Sequence, residues 1–266
     1  MSRPYKDVGP IKTWKAFDSR VRPLGCSLLN RLTRYRDAIL VAGCQRSGTT
    51  MLSSIILKSH GIVDYTVENV DDELMGALIL CGIVEHCQAG RYCFQTTYLD
   101  ECYKEYFEEK YDFKLIWIIR NPYSVVYSMV YNWSRRALND LFRRCGSQLL
   151  CSTDLLRYKV LGCYGLSWIK KAAHIYNCKV SQAHEIKRRL KDRVMFLDYD
   201  KMVADRFRVL RQVYEFIEFE FTPAYAEVIH NKSVSKANNL TPRQRRLITE
   251  LCEHSYNQAR RLVTRG

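Results

Sequence analysis

Residues 37–57 read Asp-Ala-Ile-Leu-Val-Ala-Gly-Cys-Gln-Arg-Ser-Gly-Thr-Thr-Met-Leu-Ser-Ser-Ile-Ile-Leu. The apolar run at 38–42 predicts a short buried strand. The run breaks at Gly43, crosses a compact polar loop and enters a predicted helix near Gly48. Strand, tight loop and helix in this order bring backbone N–H groups and the positive end of a helix dipole to one point. The stretch therefore predicts an anion site suited to a phosphate or to a group of the same shape.

This loop differs from the nucleoside-triphosphate loop, whose pattern is G-x-x-x-x-G-K-[ST]. Gly43 and Gly48 have the right separation, but Thr49 stands where the lysine belongs, and the cation is Arg46. In a kinase that lysine reaches the β- and γ-phosphates, so its loss counts against hydrolysis of ATP or GTP. The run Gln-Arg-Ser-Gly-Thr-Thr at 45–50 instead resembles the 5′-phosphosulfate loop of sulfotransferases that use 3′-phosphoadenosine 5′-phosphosulfate (PAPS).

A second anion site is predicted where the most apolar stretch ends. Residues 114–119 form a continuous β-branched and aromatic run, typical of a strand buried on both faces, and Arg120 follows it. Ligands of open α/β sheets bind at the carboxyl ends of the strands. Ser124 and Ser128 lie four residues apart on the predicted next helix, so both hydroxyls share one side of it. An arginine and a serine so placed can clamp a phosphate.

The spacing from Arg120 to Ser128 resembles the pair with which sulfotransferases bind the 3′-phosphate of PAPS. Residues 194–205 resemble the strand and Tyr-Glu-Asp-Leu segment of the same family, with Asp200 and Lys201 in place of the acidic pair. Residues 232–236 resemble a basic loop that closes over the cofactor in some members. The resemblance implies a set of donor-binding residues: Arg46, Ser47, Gly48, Thr49, Thr50, Arg120, Ser128, Tyr199 and Lys236.

Sulfuryl transfer also needs a base for the acceptor proton and positive charge near the transferred group. Arg46 can supply the charge. The resemblance places the base at Glu68, after the second predicted strand, with Asp64 and His60 in reserve. Many members carry Lys-Thr-Pro where this chain has Gln-Thr-Thr at 95–97, so that cation is missing. The resemblance implies no metal ion.

The whole chain of 266 residues fits one large α/β domain. Strands alternating with helices predict three α/β/α layers around a central, mostly parallel sheet of the P-loop NTPase kind. We expect residues 1–36 to form an irregular basic arm and residues 37–266 to form a sulfotransferase-like domain. Residues 135–155, basic and rich in serine and cysteine, predict an insertion or a mobile loop. Thr241 and Gln244 predict a capping box at the start of a terminal helix.

The composition indicates which kinds of partner and which cellular compartment to expect for this protein. The net charge of +14 favours an anionic partner, such as a nucleotide, an acidic glycan, nucleic acid or a membrane surface, although a basic surface can also be merely solubilising. Eleven cysteines without a C-x-x-C pair predict reduced thiols rather than disulfides. The longest apolar run, 76–84, is too short to cross a bilayer, and the N-terminus lacks a signal pattern. We expect a cytoplasmic protein.

The predicted function is transfer of a sulfuryl group from PAPS to a hydroxyl, with release of 3′-phosphoadenosine 5′-phosphate (PAP). The acceptor stays open between a carbohydrate, a small molecule and tyrosine, with an amine less favoured and nucleic acid disfavoured, and the oligomeric state is also open. One alternative is a P-loop kinase or NTPase in which Asp198 binds the metal ion. The other is a non-enzymatic polyanion-binding protein on a P-loop-like fold.

Overall fold

The structure is a computed structural model that describes residues 10–229 and 235–263, apart from the side chains of Ser235 and Lys236. The chain folds into two compact units. The first unit contains the described residues up to Ala42 together with Thr50–Ile116. The second contains Gly43–Thr49 and the described residues from Trp117 onward. Each unit is described separately below.

Four strands form one parallel sheet with the order β2-β1-β3-β4. The buried side chains of these strands belong to the apolar runs of the sequence. Ile39, Leu40 and Val41 of the first strand pair in parallel with Cys93, Phe94 and Gln95 of the second. The predicted α/β class with a central parallel sheet is confirmed. The strands are β1 (Ala38–Gly43), β2 (Cys93–Gln95), β3 (Phe113–Ile119) and β4 (Val194–Asp198).

The described residues also form eleven α-helices, and short 3₁₀ turns connect several of them. No helix of the described ranges combines the length and the apolar character needed to cross a bilayer. The helices are α1 (Trp14–Arg20), α2 (Thr49–Leu57), α3 (Asp72–Cys81), α4 (Pro122–Tyr131), α5 (Arg135–Arg144), α6 (Ser152–Leu161), α7 (Trp168–Leu190), α8 (Tyr199–Ala204), α9 (Arg206–Phe216), α10 (Ala224–Glu227) and α11 (Pro242–Arg260).

In the first unit, α3 begins where the acidic start of the sequence predicts a helix. Asp71 is its N-cap, and its carboxylate accepts the N–H of Leu74 at 2.9 Å. An aromatic cluster of Tyr35, Tyr65, Tyr92 and Phe94 packs in the core of the unit. The apolar residues at 62–65 indicate a short strand, but the structure has a single bridge there, between Ile62 and Arg91. The apolar spacing over 98–111 indicates a helix, but the structure has a kinked 3₁₀ segment, Thr97–Phe107.

In the second unit, helix α7 packs against α4, α5 and α11. The predicted capping box of α11 is confirmed, because the Thr241 side chain accepts the N–H of Gln244 while the Gln244 side chain accepts the N–H of Thr241. The sequence predicts a helix from 155 to 176 and another from 181 to 190. The structure instead breaks after α6 and continues without interruption through α7.

Two predictions of irregular structure were wrong. Residues 135–155 do not form an open loop: Ser134 caps α5, whose apolar face buries Leu138, Leu141 and Phe142. The described part of the segment up to residue 36 contains α1 and the buried Phe17. In both segments the many basic residues make the helical spacing of the apolar residues hard to detect in the sequence. The division of the chain at residue 36 stays a prediction.

Candidate functional site

The loop after β1 is shaped by two glycines. Gly43 has φ +139°, and a Cβ atom there would lie 2.5 Å from the carbonyl oxygen of Ile118 in β3. Gly48 has φ +100°, and a Cβ atom there would lie 2.2 Å from Cε2 of Tyr199. Both positions therefore need the left-handed backbone that glycine adopts without strain, and both lack room for a side chain. The loop therefore packs closely against the backbone of Ile118 and the ring of Tyr199, and we call it the glycine cradle.

Ser47 closes the turn from inside. Its hydroxyl donates to the carbonyl of Cys44 at 2.6 Å, and its N–H donates to the same carbonyl at 3.1 Å. The side chain is fully buried. Thr49 then begins α2, and the N–H groups of a first helical turn have no acceptor within the helix. The predicted contact of Ser47 with a donor stays a prediction, since both of its donor groups serve the loop here.

Arg46 joins the loop to the second predicted anion site. It has φ +69° and an exposed side chain, and its Nε donates to Oγ of Ser128 in α4 at 3.0 Å. Nη1 of Arg120 donates to the Arg46 carbonyl at 3.3 Å. The structure therefore brings together three residues that the sequence assigns to two separate phosphate contacts, within a single compact unit.

Arg120 is held at the end of β3 by its neighbours. Its guanidinium lies 4.1 Å from the centre of the Tyr199 ring, and its carbonyl accepts the hydroxyl of Tyr176 at 2.8 Å. The N–H and side-chain amide of Asn121 both donate to the carboxylate of Asp200. These bonds tie the start of α4 to the start of α8, so Tyr199 stays against both Arg120 and the loop.

The two guanidinium groups raise the positive potential of this region. Burial lowers the pKa of Arg46. Burial also lowers the pKa of Arg120, and the nearby charge of Arg46 adds to that effect, whereas Tyr199 and Asp200 oppose it. Arginine nonetheless stays protonated in proteins. Two partly desolvated cations side by side favour an anionic ligand that would neutralise them.

A buried hydroxyl in the same region lacks a partner. Ser124 is buried, and its Oγ has no hydrogen-bond partner in the part of the chain that the structure describes. It lies one helical turn before Ser128 in α4. A polar atom left unsatisfied in a native structure calls for a ligand, a water molecule or a functional explanation. The two guanidinium groups and this hydroxyl can supply positive charge and hydrogen-bond donors to an anionic ligand.

The three residues that the sequence offers as the base, Glu68, Asp64 and His60, lie in different surroundings. Glu68 lies exposed in a turn, with no hydrogen bond or ion pair to another described residue. The carboxylate of Asp64 accepts the hydroxyl and the N–H of Thr66 at 2.7 and 2.9 Å, and these bonds lower the pKa of Asp64. His60 is exposed after α2. Lys236 lies in the turn Ser235–Asn239, and its side chain is outside the described residues.

The first unit contains a carboxylate that the sequence interpretation passed over. Oε1 of Glu73 accepts the Thr97 hydroxyl at 2.5 Å and the Tyr98 N–H at 3.0 Å. Oε2 of Glu73 accepts the Gln95 amide at 2.7 Å, and Gln95 Oε1 accepts the hydroxyl of Ser53 at 3.1 Å. Ser53 of α2 therefore belongs to the same hydrogen-bonded network as Glu73.

Burial raises the pKa of Glu73 to about 7, despite the hydrogen bonds from Thr97 and Tyr98 that lower it. Its partners are neutral donors, so no cation offsets the loss of solvation. The side chain nevertheless keeps partial exposure. The sequence shows Glu73 only as one of four acidic residues near the start of a helix. Glu73 differs from the other three because it binds Gln95 and Thr97, and only the fold brings these residues next to it.

Asp198, the metal ligand of the kinase alternative, is used for structure. Its carboxylate accepts the N–H groups of Asp200 and Lys201 at the start of α8. Its other oxygen lies 3.4 Å from Nε of Arg260. Within the described ranges, no three acidic, histidine or cysteine side chains group in a way that could hold a metal ion. The side chain therefore acts as a helix cap.

Comparisons with known proteins agree with this geometry. The chain resembles a mouse sulfotransferase, SULT7A1, solved in complex with PAP, with 18% identity and a TM-score of 0.53 over 88% of this chain and 92% of that one. It also resembles a sulfotransferase from Alicyclobacillus acidocaldarius, with 15% identity and a TM-score of 0.51 over 87% and 97%. Likeness at this identity establishes the fold. No curated protein sequence matches the chain.

A family model supplies what these structural similarities alone do not. The model described as the sulfotransferase domain matches residues 36–261, which include the loop, Arg120, Ser128 and Tyr199. Since the match covers most of the chain and spans every element that builds the cradle, this protein belongs to the sulfotransferase domain family.

Proposed function

We propose that this protein transfers a sulfuryl group from PAPS to the hydroxyl of an acceptor and releases PAP. The observation that carries the proposal is the convergence of Arg46, Arg120 and Ser128 beside the glycine cradle. Family membership supports sulfuryl transfer in general. The choice of donor rests on the two cationic positions, because PAPS carries one anionic group on each side of its ribose.

The residues that the sequence assigns to the donor would divide it between them. The first-turn N–H groups of α2, the hydroxyls of Thr49 and Thr50, and Arg46 would hold the 5′-phosphosulfate. Arg120, Ser128 and the unpartnered hydroxyl of Ser124 would hold the 3′-phosphate. Bound PAPS supplies an activated sulfuryl group: its S–O bond to the 5′-phosphate breaks while a new S–O bond forms to the acceptor oxygen. Arg46 would stabilise the charge on the departing phosphate.

We further propose that a carboxylate takes the acceptor proton. Glu73 is favoured over Glu68, because its hydrogen bonds fix its orientation and its pKa of about 7 suits a base that works near neutral pH. Glu68, the candidate from the sequence resemblance, is exposed and lacks such orienting bonds. Gln95 would position Glu73 as a neutral donor. Glu68 remains the alternative.

Each alternative function has an observation against it. A kinase would need Asp198 for its metal ion, but that carboxylate caps α8 and faces Arg260. A general polyanion binder would spread its cations over a surface, whereas Arg120 is 5% exposed and serves a confined site. The acceptor remains a hydroxyl compound of the carbohydrate, small-molecule or tyrosine class. The cytoplasm remains the proposed compartment.

Binding calorimetry on the full chain tests the donor assignment. We expect PAP to bind in the micromolar range without Mg²⁺, and adenosine 5′-phosphate to bind at least about tenfold more weakly, because a charged hydrogen bond contributes roughly 1.5–3 kcal/mol. Tighter binding of ATP with Mg²⁺ than of PAP would overturn the proposal in favour of a kinase. Labelled PAPS offered with sugars, phenols and tyrosine peptides then identifies the acceptor.

A further inference from the structure

Helix α6 differs from an ordinary surface helix because it buries its acidic residue and exposes several apolar ones. Its one acidic residue, Asp154, is 1% exposed, whereas Leu156 and Val160, one turn apart, are 64% and 72% exposed. The chain continues with Leu161 at 57% and Tyr164 at 98%. A surface helix normally buries its apolar face and exposes its charges. Several large exposed apolar side chains within a short segment indicate an interaction site.

The inner face of α6 is fixed by ionic contacts. Both oxygens of Asp154 accept from Nζ of Lys170, at 2.7 and 3.0 Å, and Oδ2 lies 3.3 Å from Nε2 of His174. The buried Nζ of Lys171 donates to the carbonyl of Cys163 at 3.2 Å, next to Tyr164. These bonds hold the helix and the turn after it. The apolar side chains therefore point outward as part of a fixed arrangement.

Basic residues accompany this apolar face. Arg157 and Lys159 are exposed on α6 itself, and Asp154 is the only acidic residue between 146 and 170. We call the set of exposed side chains the apolar–basic surface. It consists of Leu149, Leu156, Arg157, Lys159, Val160, Leu161 and Tyr164.

We propose that the apolar–basic surface docks on an anionic lipid bilayer. Negatively charged headgroups attract Lys and Arg, while neighbouring apolar side chains enter the boundary with the acyl chains. Tyrosine suits that boundary because its ring is apolar and its hydroxyl is polar. A second copy of the chain is the less suitable occupant. A symmetric dimer through this surface would bring Arg157 and Lys159 of both copies into one interface, and the repulsion between these four like charges opposes it.

Co-sedimentation of the full chain with vesicles tests the proposal. We expect binding to vesicles of phosphatidylcholine with 30% phosphatidylglycerol, no binding to phosphatidylcholine alone, and release as salt rises, since screening weakens charge attraction. Replacing Arg157 and Lys159 together with glutamate should lower the partition coefficient by more than about 25-fold, from about fivefold for each basic residue. The triple change Leu156→Ser, Val160→Ser and Tyr164→Ser should also lower it at unchanged net charge.

Matched controls separate the surface from the overall basic charge. Glutamate at the exposed Lys104 and Lys201 changes the net charge equally but lies outside the surface, and Val228→Ser removes an exposed apolar side chain elsewhere. These variants should bind vesicles like the wild type. Equal losses in test and control variants would reduce the effect to net charge and overturn the proposal. So would a wild type that ignores anionic vesicles, or one that dimerises in sedimentation equilibrium through the same three side chains.

Discussion

Two charged clusters of the second unit differ in whether the protein itself neutralises their charges. Arg46 and Arg120 lie close together beside the loop, and burial lowers the pKa of both. Under α6, burial by itself would raise the pKa of Asp154, but the hydrogen bonds and charges of Lys170 and His174 outweigh it and lower that pKa. The second cluster is electrically complete, whereas the first keeps an excess of positive charge.

The difference shows how to distinguish a binding site from a structural ion pair. A buried charge whose partners are already in the protein stabilises the fold and requires no ligand. Two adjacent cations do the reverse, because they cost stability that an anionic ligand can restore. Substitution in the Asp154 cluster should therefore affect folding, and substitution in the Arg120 cluster should affect nucleotide affinity. The predictions below test that division, in order of expected size.

The largest effect should follow from Asp154→Ala. It leaves the Lys170 ammonium without its counter-charge and the buried His174 ring without its carboxylate partner, and breaking a buried pair costs roughly 3–5 kcal/mol of the free energy of unfolding. Urea denaturation at pH 7 measures it. The control is Asp140→Ala, whose carboxylate forms only surface pairs with Arg136 and Arg143 and should cost less than about 1 kcal/mol. Equal losses would show that the α6 cluster is not structural.

The same cluster predicts a pH dependence of stability. The folded pKa of Asp154 lies below its unfolded value, so its contribution is present above roughly pH 4 and is lost as the pH falls through the folded pKa. The Asp154→Ala variant should therefore show a shallower loss of stability in acid than the wild type.

Glu73→Gln should give the next largest effect, on rate rather than on stability. Glu73 is a third case, a carboxylate with neutral partners and a raised pKa of about 7. If it is the base, kcat/KM of the wild type should rise as the pH passes through about 7, because only the ionised form accepts a proton. The variant should lose roughly 100-fold or more and show no such rise. Glu68→Gln is the matched control, and the opposite pattern would assign the base to Glu68.

Arg120→Met should separate binding from folding most directly. Methionine keeps apolar contact with the Tyr199 ring but removes the charge. We expect PAP affinity to fall by about 1.5–3 kcal/mol, while affinity for adenosine 5′-phosphate changes little. The free energy of unfolding should change by less than about 1 kcal/mol, because a desolvated cation is removed along with its contacts. A loss of stability as large as that of Asp154→Ala would remove the distinction between the clusters.

The smallest effect should come from Ser128→Ala, which removes the acceptor for Nε of Arg46. A single hydrogen bond contributes roughly 0.5–1.5 kcal/mol, so PAP affinity should fall about two- to tenfold. Ser181→Ala is the control, since that hydroxyl bonds only to the carbonyl of Cys178 within α7. Unchanged PAP affinity in Ser128→Ala would restrict the 3′-phosphate contact to Arg120.

Local patterns determined part of this protein from the sequence alone. The strand at 38–42, the glycines at 43 and 48 and the capping box of α11 depend on backbone conformation and neighbours within a few residues. Such features follow from residue type and spacing, so they could be predicted. The arginine after β3 could also be placed, because the end of a buried strand is a fixed position in a parallel sheet.

Only the tertiary structure decided which distant groups meet. Arg46 and Ser128 are 82 residues apart, and Glu73 binds Gln95 and Thr97, which lie far from it in the sequence. The periodicity of a helix or strand gives no information about contacts between such distant residues. The sequence also indicates a helix near residue 155, but its apolar side faces outward because Lys170 and His174 of α7 hold its aspartate inside. Which charges pair between elements depends on how the elements pack, and local sequence patterns do not determine that packing.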